Sequence, residues 1–364
     1  MADTKRNSNI ELLKIFAMFM IVLNHMIQTL SSTNPYFCNN DYVLPLNHAT
    51  LSVHQFLLSN MAYSGVLGNS IFFICSAYYL IDSRRVKPEK IWLLFFENLI
   101  MSIGILIVVY LLRNGDIEKD LVFRSLFPNI MSNNWYVTCY LLFYPIHPLL
   151  NAAVSSLTKR QHLLFVAVSS VLYMGITFIR SDLLHNTTLI TWIIIYFALA
   201  YIKIYCKAFM ENSKLILIVL SGTIIGHLIL MLVTNYLGIH YVFFEDKLLH
   251  WQKSNNPFIV GTAICLVMLA TQKSFFSKMI NQLSSLSLLV YIFHENILLR
   301  RYYRPLIFIW IHNVLSYEKI ILWVLLATAL VAIFSLVFSF VFDITVGKNL
   351  KHLLQTYLKP YDRD

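Results

Sequence analysis

The sequence predicts an all-α polytopic membrane protein, with about ten transmembrane helices around a central polar cavity and both termini in the cytoplasm. Three observations predict it. Hydrophobic residues make up 58% of the chain and charged residues 13%, and mean hydropathy is +0.66, outside the range of soluble globular domains. The apolar residues gather into runs of about 20, the length that spans a bilayer as helix. Lys and Arg concentrate in alternate connecting segments, as the positive-inside rule requires.

The runs fall at roughly 10–31, 61–82, 91–112, 135–154, 162–180, 188–206, 214–236, 257–272, 279–299 and 319–345. An even number of spans puts both ends on one side. Placing that side inside gathers Lys5 and Arg6, then Arg84, Arg85, Lys87 and Lys90, and most of the 28 Lys and Arg overall. The net charge of +10 then reports loops that face anionic lipid rather than nucleic acid. A cleavable signal peptide is not expected, because the run after Lys5 and Arg6 is too long and too polar for one.

The segment Ser32–Asn60 has no Lys or Arg and belongs outside, as do 113–134 and 237–256; with the 300–319 connection they are expected to roof the cavity. Four cysteines lie within apolar runs and Cys38 in a loop, so neither a disulfide framework nor a metal spacing follows. The spans fill 1–347, leaving 348–364 as an amphipathic tail on the inner leaflet.

Candidate functional residues are the polar groups at membrane depth, which are costly there. Lys14 and His25 are eleven residues apart, about three helical turns, hence within roughly 20° of one face and about 16 Å apart. His25 reads either as a packing histidine bonded to a neighbouring helix or as a general base for a hydroxyl. Lys14 reads either as a lysine reaching for headgroups or as a cation that holds a phosphate below the imidazole. Glu11, one turn below, is its natural ion-pair partner.

In the second span Ser76 and Ala77 suit close helix packing, with contact to substrate as the alternative for Ser76. The following Arg84 and Arg85 read as topological anchors or as a polyphosphate site. The fourth span opens on Trp135 and Tyr136, an interfacial anchor, and Pro145 and Pro148 should kink it; Tyr140 and His147 face inward only if that kink turns them there. The ninth ends in His294, Glu295 and Asn296, three adjacent polar groups that cannot all face lipid. Arg300, Arg301 and Arg304 follow, suited to headgroups or to an anionic lipid-linked substrate.

Taken in order, these stretches resemble the bacterial membrane-integral acyltransferase family 3, from Glu11 to about Arg301. The family's Arg-or-Lys, ten residues, His pattern is met by Lys14 and His25. Its Phe-rich Ser-Gly-aromatic segment is met by Phe72 to Tyr78, with Ala77 in place of the glycine. Trp135, Tyr136, Tyr140, Pro148 and Asn151 meet the Trp-Tyr segment, and Tyr291 with His294 the late Tyr-x-x-His. The resemblance implies transfer of an acyl group, usually acetyl, from cytoplasmic acyl-CoA to a cell-envelope glycan or its undecaprenyl-linked precursor, in the bacterial plasma membrane.

On that reading His25 is catalytic with His294 assisting; Lys14, Arg84, Arg85 and Ser76 meet the acyl-CoA; Tyr140, Trp135, Glu295, Arg300 and Arg301 meet the acceptor. Acetyl-CoA serves as co-substrate, and no permanently bound cofactor or metal is expected. Membrane lipid is a partner and nucleic acid is not, and the oligomeric state, homodimer included, stays open. A glycan or lipid-linked sugar transporter would use similar spans and buried polar groups without acetyl-CoA. The membrane part of a racemase-type sensor is a third reading.

Overall fold

The computed structural model describes residues 6–31, 48–176, 188–245, 247–251, 253–308 and 319–358. Among them all regular structure is helical. Cys38, most of the segment expected outside at 32–60, the end of the run 162–180, and part of the 300–319 connection lie outside the described residues.

The helices start where local chemistry starts them. The first, α1 (Ser8–Ser31), is mostly Leu, Ile, Met and Phe after its first turns, with Asn24 and His25 among them. Ser52 opens α2 (Val53–Ala62), its Oγ accepting from the Gln55 amide at 3.4 Å, and the chain passes Tyr63 into α3 (Ser64–Leu80). Pro88 begins α4 (Pro88–Leu112), where its missing N–H breaks no bond. A turn with Asn114 and Gly115 at positive φ leads to α5 (Lys119–Leu126) and then α6 (Trp135–Ser156). Thr158 and Gln161 form a reciprocal cap on α7 (Lys159–Ser170), which runs into a π-helical turn at Val171–Ile176.

Helix α8 (Thr188–Tyr205) and the short α9 (Lys207–Glu211) precede α10 (Ser213–Gly238), capped by Asn212. Two single turns, α11 (Val242–Glu245) and α12 (Lys247–His250), lead to α13 (Pro257–Gln272), with Asn256 as cap and Pro257 at its first position. Then come α14 (Lys278–Ser285), α15 (Ser287–His294), a π-helical turn at Leu299–Tyr303, and α16 (Ile320–Phe342). A last π-helical turn, Asp343–Gly347, joins α16 to α17 (Lys348–Leu358).

Seven helical stretches among the described residues are long and apolar enough to cross a membrane: Ser8–Leu30, Val53–Leu80, Pro88–Leu112, Trp135–Ser156, Thr188–Tyr205, Ser213–Gly238 and Ile320–Leu358. All seven coincide with expected spans, and Pro257–Gln272 is a shorter apolar helix at an eighth. The other two expected spans differ. The run 162–180 is helical to Ile176 with a change of helix type. The run 279–299 is in pieces, broken after Ser285 and again at Glu295 and Asn296. Broken helices at membrane depth occur where backbone lines a cavity or is buried in protein. Helix α6 runs unbroken through Pro145 and Pro148, and the tail expected to begin at 348 continues α16 as helix.

The chain divides into two compact units. One comprises Met1–Ile27, Leu44–Arg84 and His147–Ser284; the other Gln28–Val43, Arg85–Ile146 and Ser285–Asp364. In the first unit α1 and α3 approach so closely that a Cβ on Gly65 would lie 2.4 Å from Asn24, and one on Gly68 2.5 Å from the Ala17 carbonyl. Ser64 donates to the Met20 carbonyl at 3.0 Å between the same helices. Small residues let helix backbones meet where lipid offers no hydrophobic drive. Helices α10 and α13 also pack together, with Thr262 donating to Thr223 at 2.9 Å.

At one end of this unit Asn235 bonds both the amide and the carbonyl of Thr50, at 3.0 and 2.8 Å, and the Trp251 indole donates to Thr234 at 2.9 Å. In the second unit α4 packs against α15 and α17, and Phe293 stacks on Phe338 with ring centroids 4.0 Å apart. The long outer faces of α10 and α16 are exposed Leu, Ile, Val and Phe, as acyl chains require.

Replacing Gly65 with Ala is expected to destabilise the protein by roughly 1–3 kcal/mol, because the new methyl overpacks the contact with Asn24. Gly222, where an added Cβ meets nothing within 4 Å, is the control, and Gly222→Ala should be neutral or slightly stabilising. Thermal unfolding of the detergent-solubilised variants measures the difference. Equal midpoints would remove this contact from the account.

Candidate functional site

In the first unit the candidate residues line up from the start of α1. Its first turns are sewn to the stretch after α13: the Ser8 amide donates to the Phe275 carbonyl at 2.9 Å, the Ser8 hydroxyl to Asn281 Oδ1 at 2.8 Å, and the Ser277 amide to Ser8 Oγ at 2.8 Å. Glu11 is buried there. Its carboxylate takes the Lys14 ammonium at 3.3 and 3.4 Å and the Ser284 hydroxyl at 2.5 Å. Lys14 therefore curls back onto Glu11 instead of extending toward headgroups. The pair is mostly buried, with the Lys14 side chain 19% exposed and that of Glu11 9%, so an anion that draws Lys14 away leaves the Glu11 carboxylate to the Ser284 hydroxyl.

Eleven residues further on, His25 is buried, as is Asn24 beside it. Gly65 meets Asn24, next to the imidazole, and Gly68 meets Ala17 and Ile21 one to two turns below, so the close contact holds the backbone that carries His25. Ser76 Oγ donates to the Phe72 carbonyl of its own helix at 3.2 Å, a local bond that leaves only an acceptor lone pair for anything else. Arg84 and Arg85 are exposed in the extended segment after α3.

That segment is anchored by a residue whose role the sequence alone did not reveal. Asn151 on α6 donates to the carbonyls of Leu80 at 2.9 Å and Ser83 at 2.7 Å, and its Oδ1 accepts from the Tyr196 hydroxyl at 2.6 Å. It satisfies carbonyls that the end of α3 leaves open. Lys203 completes the anchor, with 2.6 Å bonds to the Tyr78 carbonyl and to Asp82 Oδ2. An asparagine and a lysine, each within an apolar run, carry no sign of these partners in sequence.

The second unit holds the remaining candidates. Asn98, Asn129 and Asn134 form a buried amide chain, with bonds of 2.8 Å (Asn98 to Asn129) and 2.7 Å (Asn134 to Asn98), that docks the loop before α6 onto α4. This sets where α6 begins. Trp135 and Tyr136 meet edge to face at 5.7 Å, Tyr136 is buried and meets Tyr291 at 6.0 Å, and Tyr140 stacks on Tyr144 at 5.8 Å.

At the break after α15, His294, Glu295 and Asn296 are all buried, as three adjacent polar groups must be. His294 Nδ1 lies 2.7 Å from the Val290 carbonyl. A carbonyl only accepts, so Nδ1 carries the hydrogen and the lone pair of neutral His294 is on Nε2. Glu295 is held by two arginines: Arg300 reaches Oε2 at 3.2 Å, and Arg304 reaches Oε1 at 2.5 Å while also donating to the His294 carbonyl.

Arg301 instead pairs with Glu118 at 3.0 Å, and its neighbour Tyr302 lies under the Arg113 guanidinium, 4.0 Å from ring centroid to carbon. Three arginines thus share two carboxylates. Nη1 of Arg301 and Nη1 of Arg304 are buried with no hydrogen-bond partner among the described residues. A buried guanidinium N–H without an acceptor is costly, and an anion would relieve it.

A family model described as an acyltransferase domain matches residues 7–342, nearly the whole chain. No curated protein and no solved structure matches it.

Two outcomes follow from these bonds. Arg304→Ala should cost roughly 3–5 kcal/mol, because it strips a buried carboxylate of its closest partner, whereas Arg301→Ala, whose partner Glu118 is half exposed, should cost under about 1 kcal/mol. Unfolding in mixed micelles ranks the two, and the reverse order would refute the clamp. Asn151→Leu should raise hydrogen exchange across residues 80–87 with little change at α1; uniform protection would show that Asn151 is not the anchor.

Proposed function

The chain belongs to acyltransferase family 3, and on that premise we propose that it moves an acyl group, most simply acetyl, from cytoplasmic acyl-CoA to a hydroxyl of a cell-envelope polysaccharide or its lipid-linked precursor. The family makes acyl transfer, rather than transport, the chemistry of this multi-pass membrane protein. The positive-inside pattern supports both termini in the cytoplasm, and the resemblance given above points to a bacterial plasma membrane. Ten spans accord with that pattern, the broken helix after α14 counting as one.

One observation carries the reading: a buried imidazole, His25, rides on the same helix as Lys14, about three turns away, and that lysine is paired with the buried carboxylate of Glu11. In this account the donor's phosphates draw Lys14 together with Arg84 and Arg85, and the pantetheine arm rises along α1. His25 removes the proton from the acceptor hydroxyl, the oxygen attacks the thioester carbonyl, the C–S bond breaks, and the thiolate of CoA leaves and takes up a proton. The thioester is already activated, so alignment and a base supply most of what remains. In a variant route an acyl-His25 forms first and is then attacked by the alcohol.

His294 serves as a second polar group for the reacting alcohol, its ring oriented by Val290. Arg300 and Arg301, with Glu295, Trp135 and Tyr140, suit an anionic, sugar-bearing acceptor, and the buried guanidinium nitrogens of Arg301 and Arg304 that lack a partner among the described residues favour a phosphate or carboxylate on it.

Proton NMR of surface polysaccharide from cells with the intact gene, a deletion, and His25→Ala should show an acyl signal in the first only. A signal in all three would overturn the proposal. Lys14→Ala, which also strips the buried Glu11 carboxylate of its cation, should raise KM for acyl-CoA, and unchanged rates at subsaturating donor would remove Lys14 from the site. Radiolabel trapped on the protein without acceptor would select the acyl-histidine route.

A further inference from the structure

The first unit contains a second basic feature that the account above does not use. A cleft of about 660 Å³ lies where α8, α9 and the start of α10 face the end of α13, lined among others by Tyr78, Lys203, Lys207, Thr271 and Lys273. Its size is within the range that encloses a ligand of a few hundred daltons. Three lysines line it against one acid, Glu211. Lys203 is engaged with Asp82, and its ammonium lies 4.0 Å from the Tyr78 ring centroid. Lys207 and Lys273 are different: among the described residues neither ammonium has an ion-pair or hydrogen-bond partner.

The cleft is also tied to the helix that carries Lys14 and His25. Asn9 donates to the Lys273 carbonyl at 2.6 Å and Asn7 to the same oxygen at 3.2 Å. The first turn of α1 thus begins at the wall of the cleft. Tyr78 lies on α3, a short way before Arg84. The positive-inside assignment puts the 203–214 and 273–278 segments on the cytoplasmic side, where a soluble phosphorylated donor arrives.

We infer that this cleft holds the phosphorylated adenosine end of the acyl-CoA donor, with Lys207 and Lys273 as its phosphate contacts. The inference rests on the acyl-CoA reading of the reaction and adds to it a place for the nucleotide. Lysine ammonium groups bind phosphate as point charges, and a nucleotide seated there starts the pantetheine arm at the foot of α1. Lys203 is a positioning residue, since it locks the end of α3 that forms one wall. An anionic lipid headgroup would present the same phosphate chemistry to the same lysines, and the experiment separates the two.

The test is equilibrium binding of radiolabelled CoA to the full chain in nanodiscs, wild type beside the double variant Lys207→Glu, Lys273→Glu, in neutral lipid and in lipid containing phosphatidylglycerol. Both lysines are exposed, so the variant should fold; an unchanged melting temperature checks this. Lys207→Gln with Lys273→Gln, which removes charge without reversing it, is the milder companion. The inference expects CoA binding weakened about tenfold or more by the reversal, as two screened attractions become repulsions, in both lipids. Binding that is equal in wild type and variant overturns the cleft and leaves the donor reading standing. So does a variant that loses only enrichment of phosphatidylglycerol, which would make the cleft a headgroup site. A wild-type protein that binds no CoA overturns the donor reading, and this inference with it.

Discussion

A carboxylate, amide or open carbonyl inside a bilayer has no water to bond to, so each must find its partner within the protein. That constraint shapes both units. Glu11 is matched by Lys14 and Ser284, Asn151 by two carbonyls and a tyrosine hydroxyl, and Glu295 by Arg300 and Arg304. The asparagine chain from Asn98 through Asn134 does the same for a loop that would otherwise carry bare backbone into α4. These bonds are few, but each sits where a helix starts, stops or breaks, and so each sets the position of a candidate group.

The same constraint explains the interrupted stretch after α14. A continuous helix there would keep its backbone bonds but carry Glu295 and three arginines along one rod. Breaking at Glu295 and Asn296 frees the His294 carbonyl, and Arg304 takes it while also meeting Glu295. The break costs helix bonds and gains a compact ionic cluster. Buried guanidinium nitrogens of Arg304 in that cluster and of Arg301 beside Glu118 have no hydrogen-bond partner among the described residues, the kind of local imperfection that real proteins keep at functional sites.

Close packing serves the other half of the chemistry. Helices in lipid gain little from burying apolar side chains against each other, so contact must be tight to be stable. Gly65 and Gly68 supply it, bringing α3 onto α1 beside Asn24, next to His25. Ala77, where family resemblance leads one to look for a glycine, is simply buried. The close approach is nearer the start of α3, a location that helical spacing alone does not single out from the other small residues of the run.

The amino-acid sequence by itself determined the class of protein, because hydrophobic runs of bilayer length and a skewed distribution of lysine and arginine follow from transfer energies that depend on composition alone. It also determined which polar residues deserved suspicion, since Lys14, His25, His294 and Glu295 are conspicuous in apolar surroundings wherever the chain folds. Only the tertiary structure decided what those residues touch: that Lys14 rests on Glu11, that Asn151 anchors the end of α3, that Arg304 and not Arg301 clamps Glu295, and that lysines from separate elements border one cleft. Such pairings link positions distant along the chain, and no local pattern encodes them, because they depend on how helices approach and on where each backbone is left without a partner.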